Sequence, residues 1–336
     1  MGKISDIAER AGVSSKTVSR ILNGHPNISE KTRRKVEEAI TALGYEPRAA
    51  SAGFNGAGHR GIGVLFGDPD AGYQISVYQA LLDACRDSGY FLAVEAFDET
   101  AKDWGDQVRG FIDRSGVRRV ILVPPLCDSF EIQNLLKQMG VHFALISPSR
   151  PVSGADSIAM DDRLAAMEMT QHLIGLGHRR IGFLSGRPGH VATLLRRQGF
   201  DEAFGLAGLP LPEESLIRSA DFSFHPAMDA ARSLLTLPDR PTAIFASNDE
   251  MAAAVIMVAN DLGLSIPADI SVAGFDGSQI SQTIWPELTT VRQPYEAMAR
   301  MAVELVSRPD SEAGQAAGIQ VLPHTLVVRG STAEKA

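Results

Sequence analysis

Ile4–Gly24 reads ISDIAERAGVSSKTVSRILNG, and its spacing decides what the first domain is. Ile7, Ala8 and Ala11 fall on one face of a short helix, and Val18, Ile21 and Leu22 on one face of a second. Gly12 stands between them, where a helix exits through the left-handed region. Ser14 follows as an N-cap for the second helix. This is the layout of a helix-turn-helix, whose second helix enters the major groove of DNA. Ser15, Lys16 and Arg20 share the outward polar face of that helix and are the expected base readers. Arg20 can pair bidentately with guanine. Thr17 is expected on a phosphate.

Working outward, Ser29–Leu43 forms a third helix. Ser29 caps it, Val36, Ala39, Ile40 and Leu43 form its apolar stripe, and Gly44 ends it. Ser29 and Thr32 sit at its start, where backbone amides favour anions, so both are phosphate candidates. Lys31, Arg33, Arg34 and Lys35 read equally as a solvated face or as phosphate contacts. Beyond it, residues 49–60 read AASAGFNGAGHR, a small, Gly-rich segment with the composition of a flexible tether.

The charge is uneven. Residues 1–60 hold ten Lys and Arg against six Asp and Glu, whereas the whole chain of 336 residues carries a net charge of −8. A basic head on an acidic body suits an anionic polymer at one end and discourages DNA binding elsewhere. A chain this long exceeds one compact core and implies two or three domains. The two cysteines, Cys85 and Cys127, have no metal or redox spacing and read as reduced core residues of a cytoplasmic protein. Neither a leader-like apolar run nor a membrane span is evident. No metal or cofactor motif is evident either.

From Gly61 the chain alternates strand and helix. Strand-like runs at 62–66, 91–96, 120–123 and 143–146 are separated by helical patterns at 74–88, 104–114 and 130–139. A second series has strands at 181–184, 216–220, 243–246 and 271–275, with helices at 165–176, 194–207, 227–237 and 251–262. A helix at 294–306 and short strands at 320–322 and 326–328 close the chain, returning it to the first lobe and then the second. Repeated βα units make parallel sheets with helices on both faces, and two series make two lobes. Ligands of open α/β sheets bind beyond the carboxyl ends of the strands. That rule nominates Gly67-Asp68, Pro124-Pro125, Ser147-Pro148 and Ser185-Gly186 in the order of the chain. It then nominates Asp221-Phe222, Ser247-Asn248-Asp249 and Asp276-Gly277. Arg196 and Arg197 open a helix, so one of them can reach the cleft as a forked donor. Asp249 reads first as a helix cap, and the Asp161-Asp162 pair either caps the helix at 165–176 or points into the cleft, with capping favoured. Phe222 reads either as core or as a ring facing a ligand. His178 and Arg179 read as surface or ion-pair residues, and Trp285 as a structural residue near an interlobe crossing.

The head resembles the lac repressor–galactose repressor family of bacterial transcription regulators. The matching residues are Ile7-Ala8, Ala11-Gly12-Val13-Ser14, Thr17-Val18-Ser19-Arg20, Leu22-Asn23, Thr32-Arg33 and Leu43-Gly44-Tyr45. In the body they are Gly177-His178-Arg179-Arg180-Ile181, Arg196-x-x-Gly199-Phe200, Ser247-Asn248-Asp249-Glu250-Met251-Ala252 and Ser271-Val272-x-Gly274-Phe275-Asp276. The resemblance implies an α/β protein: an all-α helix-turn-helix headpiece on a two-lobed body like a type I periplasmic binding protein, with parallel sheets. It implies a DNA-binding domain at 1–48, a hinge at 49–60 and an effector-binding and dimerisation body at 61–336. Lobe 1 would span about 61–160 and 291–322, and lobe 2 about 161–290 and 323–336. It adds Asn23 to the DNA contacts. In the family the hinge becomes a short helix whose apolar wedge opens the minor groove; Phe54 occupies the wedge position here. Gly53 and Gly56 flank it, and each costs a helix roughly 1 kcal/mol relative to alanine. Carried over by position, Arg196, Asn248 and Asp276 face the effector, Phe222 stacks on it, and Tyr73 and Ser147 complete the contacts. Ser147 stands where many sugar-sensing relatives place a carboxylate or a polar side chain, and Gly277 where a second aspartate often follows.

The implied function is a sequence-specific transcription regulator. It is read as a homodimeric repressor of carbohydrate-utilisation genes on a palindromic double-stranded operator, relieved by a small sugar between the lobes. A ligand-dependent activator or co-repressed regulator would share the sequence pattern. No catalytic motif or order of Ser, His and Asp marks an enzyme.

Overall fold

The computed structural model describes residues 4–22, 28–43, 61–67, 72–97, 101–309 and 318–335. Asn23, Gly44, Phe54, Asp68 and the whole tether lie outside the described residues.

The head is built from α1 (Ile4–Ala11), α2 (Ser15–Leu22) and α3 (Glu30–Ala42). Ile7, Ala8, Ala11, Val18, Ile21, Val36 and Ala39 bury into one small core, with Val13, Ile28, Ile40 and Leu43 packed against it. Gly12 adopts φ +64° at the turn. Ser14 caps α2: its Oγ accepts from Thr17 N at 3.1 Å and lies 2.9 Å from Thr17 Oγ1. Ser29 caps α3 in the same way, accepting from Thr32 N at 3.3 Å.

The body holds two six-stranded sheets. The first contains β1 (Gly61–Phe66), β2 (Phe91–Ala96), β3 (Arg119–Leu122), β4 (His142–Ile146) and β5 (Asp156–Met160), and its helices are α4 (Gly72–Asp87), α5 (Trp104–Ser115) and α6 (Phe130–Gln138). The chain then leaves for the second sheet through α7 (Asp162–Gly175), β6 (Ile181–Ser185), α8 (Val191–Leu206) and β7 (Ile217–Ser219). It continues with α9 (Phe224–Leu235), β8 (Ala243–Ala246), α10 (Asp249–Asp261), β9 (Ser271–Asp276), a single turn α11 (Ile280–Thr283) and β10 (Thr289–Arg292). α12 (Tyr295–Val306) and β11 (Ile319–Leu322) go back to the first lobe, and β12 (Thr325–Val327) rejoins the second.

The first sheet runs β11-β5-β4-β3-β1-β2 and is wholly parallel; the second runs β12-β10-β9-β8-β6-β7 with β12 antiparallel to β10. Parallel strands covered on both faces are continuously apolar, and β1, β8 and β9 are buried at every position. Val64, Leu81, Ile121, Met298 and Val303 fill one face of the first sheet. In the second lobe Phe183 stacks on Phe200 with centroids 4.7 Å apart and meets Phe245 edge-on at 5.6 Å. Both cysteines are buried free thiols, and burial pushes Cys85 up to about 11. No helix among the described residues is long and apolar enough to cross a membrane.

Two readings are corrected. His178 is no surface residue. It is buried, with Nδ1 2.9 Å from Thr242 Oγ1 and Nε2 3.1 Å from both Ser271 Oγ and the Ala333 carbonyl, so it fastens the C-terminal tail. Burial lowers its pKa. Arg179 is exposed, as a surface residue would be, and donates to the Ile174 and His178 carbonyls. Trp285 is 84% exposed and supports no core.

Candidate functional site

On the head, Ser15, Lys16 and Arg20 are exposed on α2, and Thr17 is half-buried with its hydroxyl against Ser14. Ser29 and Thr32 meet through their hydroxyls at 2.8 Å at the start of α3. The three base-reader candidates therefore share an unobstructed helix face, while the three phosphate candidates cluster at helix starts.

The second candidate site is the cleft between the lobes, a cavity of about 180 Å³. Tyr73, Ser147, Arg196, Phe222, Asn248 and Asp276 all line it. So do Pro124, Pro125, Pro148 and Asp221, the other strand-end residues that reach it. Among the described residues, four non-glycines have positive φ: Ser147 (51°), Asp221 (57°), Phe222 (60°) and Asp276 (113°). All four border this cavity. Residues held in sparsely populated backbone regions cost about 1–3 kcal/mol each and concentrate at binding sites.

Arg196 is the hub. The helix that carries it begins at Val191, and Arg196 shares its buried face with Gly199, Phe200 and Ala203, at i+3, i+4 and i+7, which turns Arg196 inward and leaves Arg197 off that face. Arg196 Nε donates to Asp162 Oδ1 at 2.8 Å, Nη1 donates to the Ser247 carbonyl, and Nη1 lies 3.5 Å from Asp276 Oδ1. Its guanidinium plane rests 3.7 Å from the centroid of Phe275. Burial works against the Arg196 charge, but Asp162 and Asp276 outweigh it and hold its pKa above the ordinary value. Arg197 instead pairs with Asp201 at 2.9 Å and Glu214 at 3.1 Å outside the cleft. Burial raises the Asp276 pKa well above the carboxylate range, against the pull of Arg196. Gln293 Nε2 donates to Asp276 Oδ1 at 2.8 Å.

The acidic pairs divide their tasks. Asp161 caps α7 by accepting from Leu164 N at 2.9 Å, while Asp162 turns into the cleft. Asn248, not Asp249, caps α10: its Oδ1 accepts from Met251 N at 2.9 Å and its Nδ2 donates to the Phe222 carbonyl at 3.0 Å. Asp249 neither caps nor lines the cleft. It is buried beneath it, where Oδ1 accepts from Thr290 Oγ1 at 2.6 Å and Oδ2 accepts from Ser278 N at 2.7 Å and Ser278 Oγ at 2.9 Å. Burial pushes Asp249 up to about 7, partly offset by those bonds.

Phe222 is half-buried, not core. Its ring lies over Gly186, where an added Cβ would sit 2.0 Å from the ring. It meets His190 edge-on at 5.5 Å and Arg196 at 5.8 Å. Asp162 lines the cleft, the less favoured of its two sequence readings, and Gln74, His190 and Glu250 line it without having been singled out from sequence as effector contacts. His190 stands where the strand-end rule meets a helix start, so it was findable. Glu250 binds across the cleft: its Oε1 accepts from Gly72 N, the first residue of α4, at 2.7 Å. Gln74 donates from Nε2 to the Pro124 carbonyl at 3.3 Å, and its Oε1 is buried without a hydrogen-bond partner among the described residues.

A model of bacterial regulatory proteins of the lacI family matches residues 3–48, and one of periplasmic binding protein-like domains matches residues 170–332. The chain is 31% identical over 338 residues to catabolite control protein A of Priestia megaterium, covering 98% of each. It belongs to the lacI family. The lac repressor dimer bound to operator and the anti-inducer ONPF has the same architecture, with a TM-score of 0.74 and 26% identity over 99% of both chains. The transcriptional regulator CelR in complex with cellobiose matches with a TM-score of 0.70 and 27% identity, over 98% of this chain and all of that one. These relatives are regulators rather than enzymes, and this lacI-family member is a DNA-binding transcription regulator.

Proposed function

We propose that this lacI-family protein is a homodimeric repressor of carbohydrate-utilisation genes, whose paired heads hold a palindromic operator until a small sugar or sugar derivative enters the interlobe cleft. The observation carrying this reading is the convergence of Arg196, Asp276, Phe222, Ser147 and four strained backbone positions on one cavity. Such strain persists only where the surroundings over-determine it. The cellobiose and ONPF complexes of the similar regulators support a ligand in the corresponding body. Ser15, Lys16 and Arg20 read base edges, Thr17, Ser29 and Thr32 hold phosphates, and Asn23 and Phe54 join them on DNA. Residues 1–48 are the reading head, 49–60 the hinge and 61–336 the sensor. The protein acts in the cytoplasm, where the DNA is.

A ligand shifts the equilibrium only by its different affinity for the DNA-competent and released states. The test is fluorescence anisotropy on an operator selected from random duplexes. Arg20→Ala lowers specific affinity by about 1–3 kcal/mol and leaves random-sequence binding nearly unchanged. Equal loss on random DNA would place Arg20 on phosphate. The selected operator is then titrated with sugars. Operator affinity indifferent to every compound that stabilises the body would overturn effector control.

A further inference from the structure

The charges lining the cleft limit what it can hold. Five acidic side chains line it, Asp128, Asp162, Asp221, Glu250 and Asp276, and four remain when Asp276, whose pKa burial raises, is set aside. Against them the described lining offers Arg187 and Arg196, and no lysine. Both cations are already engaged. Arg196, at depth, is bound to Asp162 at 2.8 Å, lies 3.5 Å from Asp276 and donates to a backbone carbonyl. Arg187, at the mouth, donates to Asp221 at 2.9 Å. The starts of α8 and α9 open on the cleft without a side-chain cap. Each helix start carries roughly half a positive charge, about one in total, which does not cancel the carboxylate excess. An anion entering here would have to take Arg196 from two buried aspartates and leave them without a cation, the costly way to break a buried pair.

The same walls suit hydroxyl groups. Asp162 accepts from Arg196 through Oδ1 and Asp276 faces Arg196 with its own Oδ1 at 3.5 Å, which leaves the Oδ2 of each for ligand hydroxyls. Gln74 adds a buried acceptor with no partner among the described residues, and Phe222 presents a ring to one face of the space. Resting on the reading that the cleft holds the effector, we propose that the effector is a hydroxyl-rich compound with one apolar face and neither phosphate nor carboxylate. The site selects against the phosphorylated or oxidised form of the same sugar.

The full-length chain is titrated by calorimetry with matched compounds: glucose, glucose 6-phosphate and glucuronate; ribose and ribose 5-phosphate; galactose and galacturonate; cellobiose; and inorganic phosphate alone. The neutral member of the set that binds does so at least about tenfold tighter than its anionic counterpart. Its Kd is nearly constant as salt rises, because no ion pair forms with the ligand. Inorganic phosphate gives no heat. Asp221→Asn releases Arg187 and narrows the gap between a sugar and its phosphate, and Phe222→Ala weakens the neutral ligand, which places binding in the cleft. An anionic member that binds as tightly as its neutral counterpart, with a salt-sensitive Kd and weakened by Phe222→Ala, overturns the charge argument and leaves the cleft reading standing. Silence from every compound, or binding insensitive to Phe222→Ala, overturns the cleft reading and takes this inference with it.

Discussion

The two walls of the cleft are built by different means. The second-lobe wall is charged and mutually engaged: Arg196 joins Asp162, Asp276 and the Ser247 carbonyl, and Gln293 reaches Asp276 from the crossing segment. The first-lobe wall carries one acid, Asp128, whose Oδ1 accepts from Ser149 N at 2.7 Å, and is otherwise neutral, made of Tyr73, Gln74, Ser147 and the prolines at 124, 125 and 148. Burial raises the Tyr73 pKa, which keeps that hydroxyl a neutral donor. Three of the four strained non-glycine positions, Asp221, Phe222 and Asp276, belong to the second lobe. The difference teaches that preorganisation lies on one side. A buried ionic network holds its geometry before a ligand arrives, whereas a mostly neutral wall with an unmet acceptor completes its bonding on the ligand.

The largest effect that tests this asymmetry is at Arg196. Arg196→Ala leaves Asp162 and Asp276 buried without their cation. Removing one partner of such a pair costs about 3–5 kcal/mol, read as a lower urea midpoint for the body. Arg196→Lys restores charge without the fork and recovers only part of the loss. A loss under about 1 kcal/mol for the alanine variant, the size of a surface pair, would mean that the network is no more built than the opposite wall.

Asp249, beneath the second-lobe wall, gives a pH signature. Its folded pKa, about 7, stands above the ordinary 3.8, mainly through burial. The folded state therefore holds the proton more tightly than the unfolded chain. This contribution to stability is full below the unfolded value and is lost as pH rises through about 7. Asp249→Asn faces an amide N–H toward groups that now donate to the carboxylate, Ser278 or Thr290. The expected loss is about 1–3 kcal/mol near pH 5, and the gap to the native chain shrinks toward pH 8. A gap that widens with pH would show that the carboxylate, not the acid, is the form the fold prefers.

The alternation of helix and strand was legible because buried parallel strands such as Ala243–Ala246 are short unbroken apolar runs. β5 and β10 were not, because DSIAM and TTVR open on polar residues whose burial comes from neighbouring strands. The strand-end rule led to Ser147, Phe222, Asn248 and Asp276, since topology alone places strand ends at the cleft. It did not lead to Gln74 or Glu250, which lie at helix starts and reach the cavity from α4 and α10. His178 escaped because the Ala333 carbonyl that buries it comes from 155 residues away. Trp285 misled for the opposite reason: a large aromatic was expected to be structural, yet its ring faces solvent.

The smallest expected effect on stability falls on the mostly neutral wall and sharpens the comparison most. Gln74 is buried, yet among the described residues its side chain holds the fold through a 3.3 Å bond to the Pro124 carbonyl, and its Oε1 has no partner there. Gln74→Leu keeps the apolar bulk, removes that unmet acceptor and gives up one marginal bond. These terms oppose each other, so stability should move by less than about 1 kcal/mol. Effector binding should suffer more. The lost acceptor leaves a ligand hydroxyl facing hydrocarbon, which weakens affinity by about 1–2 kcal/mol, roughly fivefold to thirtyfold. Measured together, a urea midpoint and a calorimetric Kd separate the two walls: Arg196→Ala moves the midpoint first, and Gln74→Leu moves the Kd with the midpoint almost still. If Gln74→Leu instead lowers the midpoint by more than about 2 kcal/mol, Gln74 is part of the scaffold, and the first lobe is as preorganised as the second.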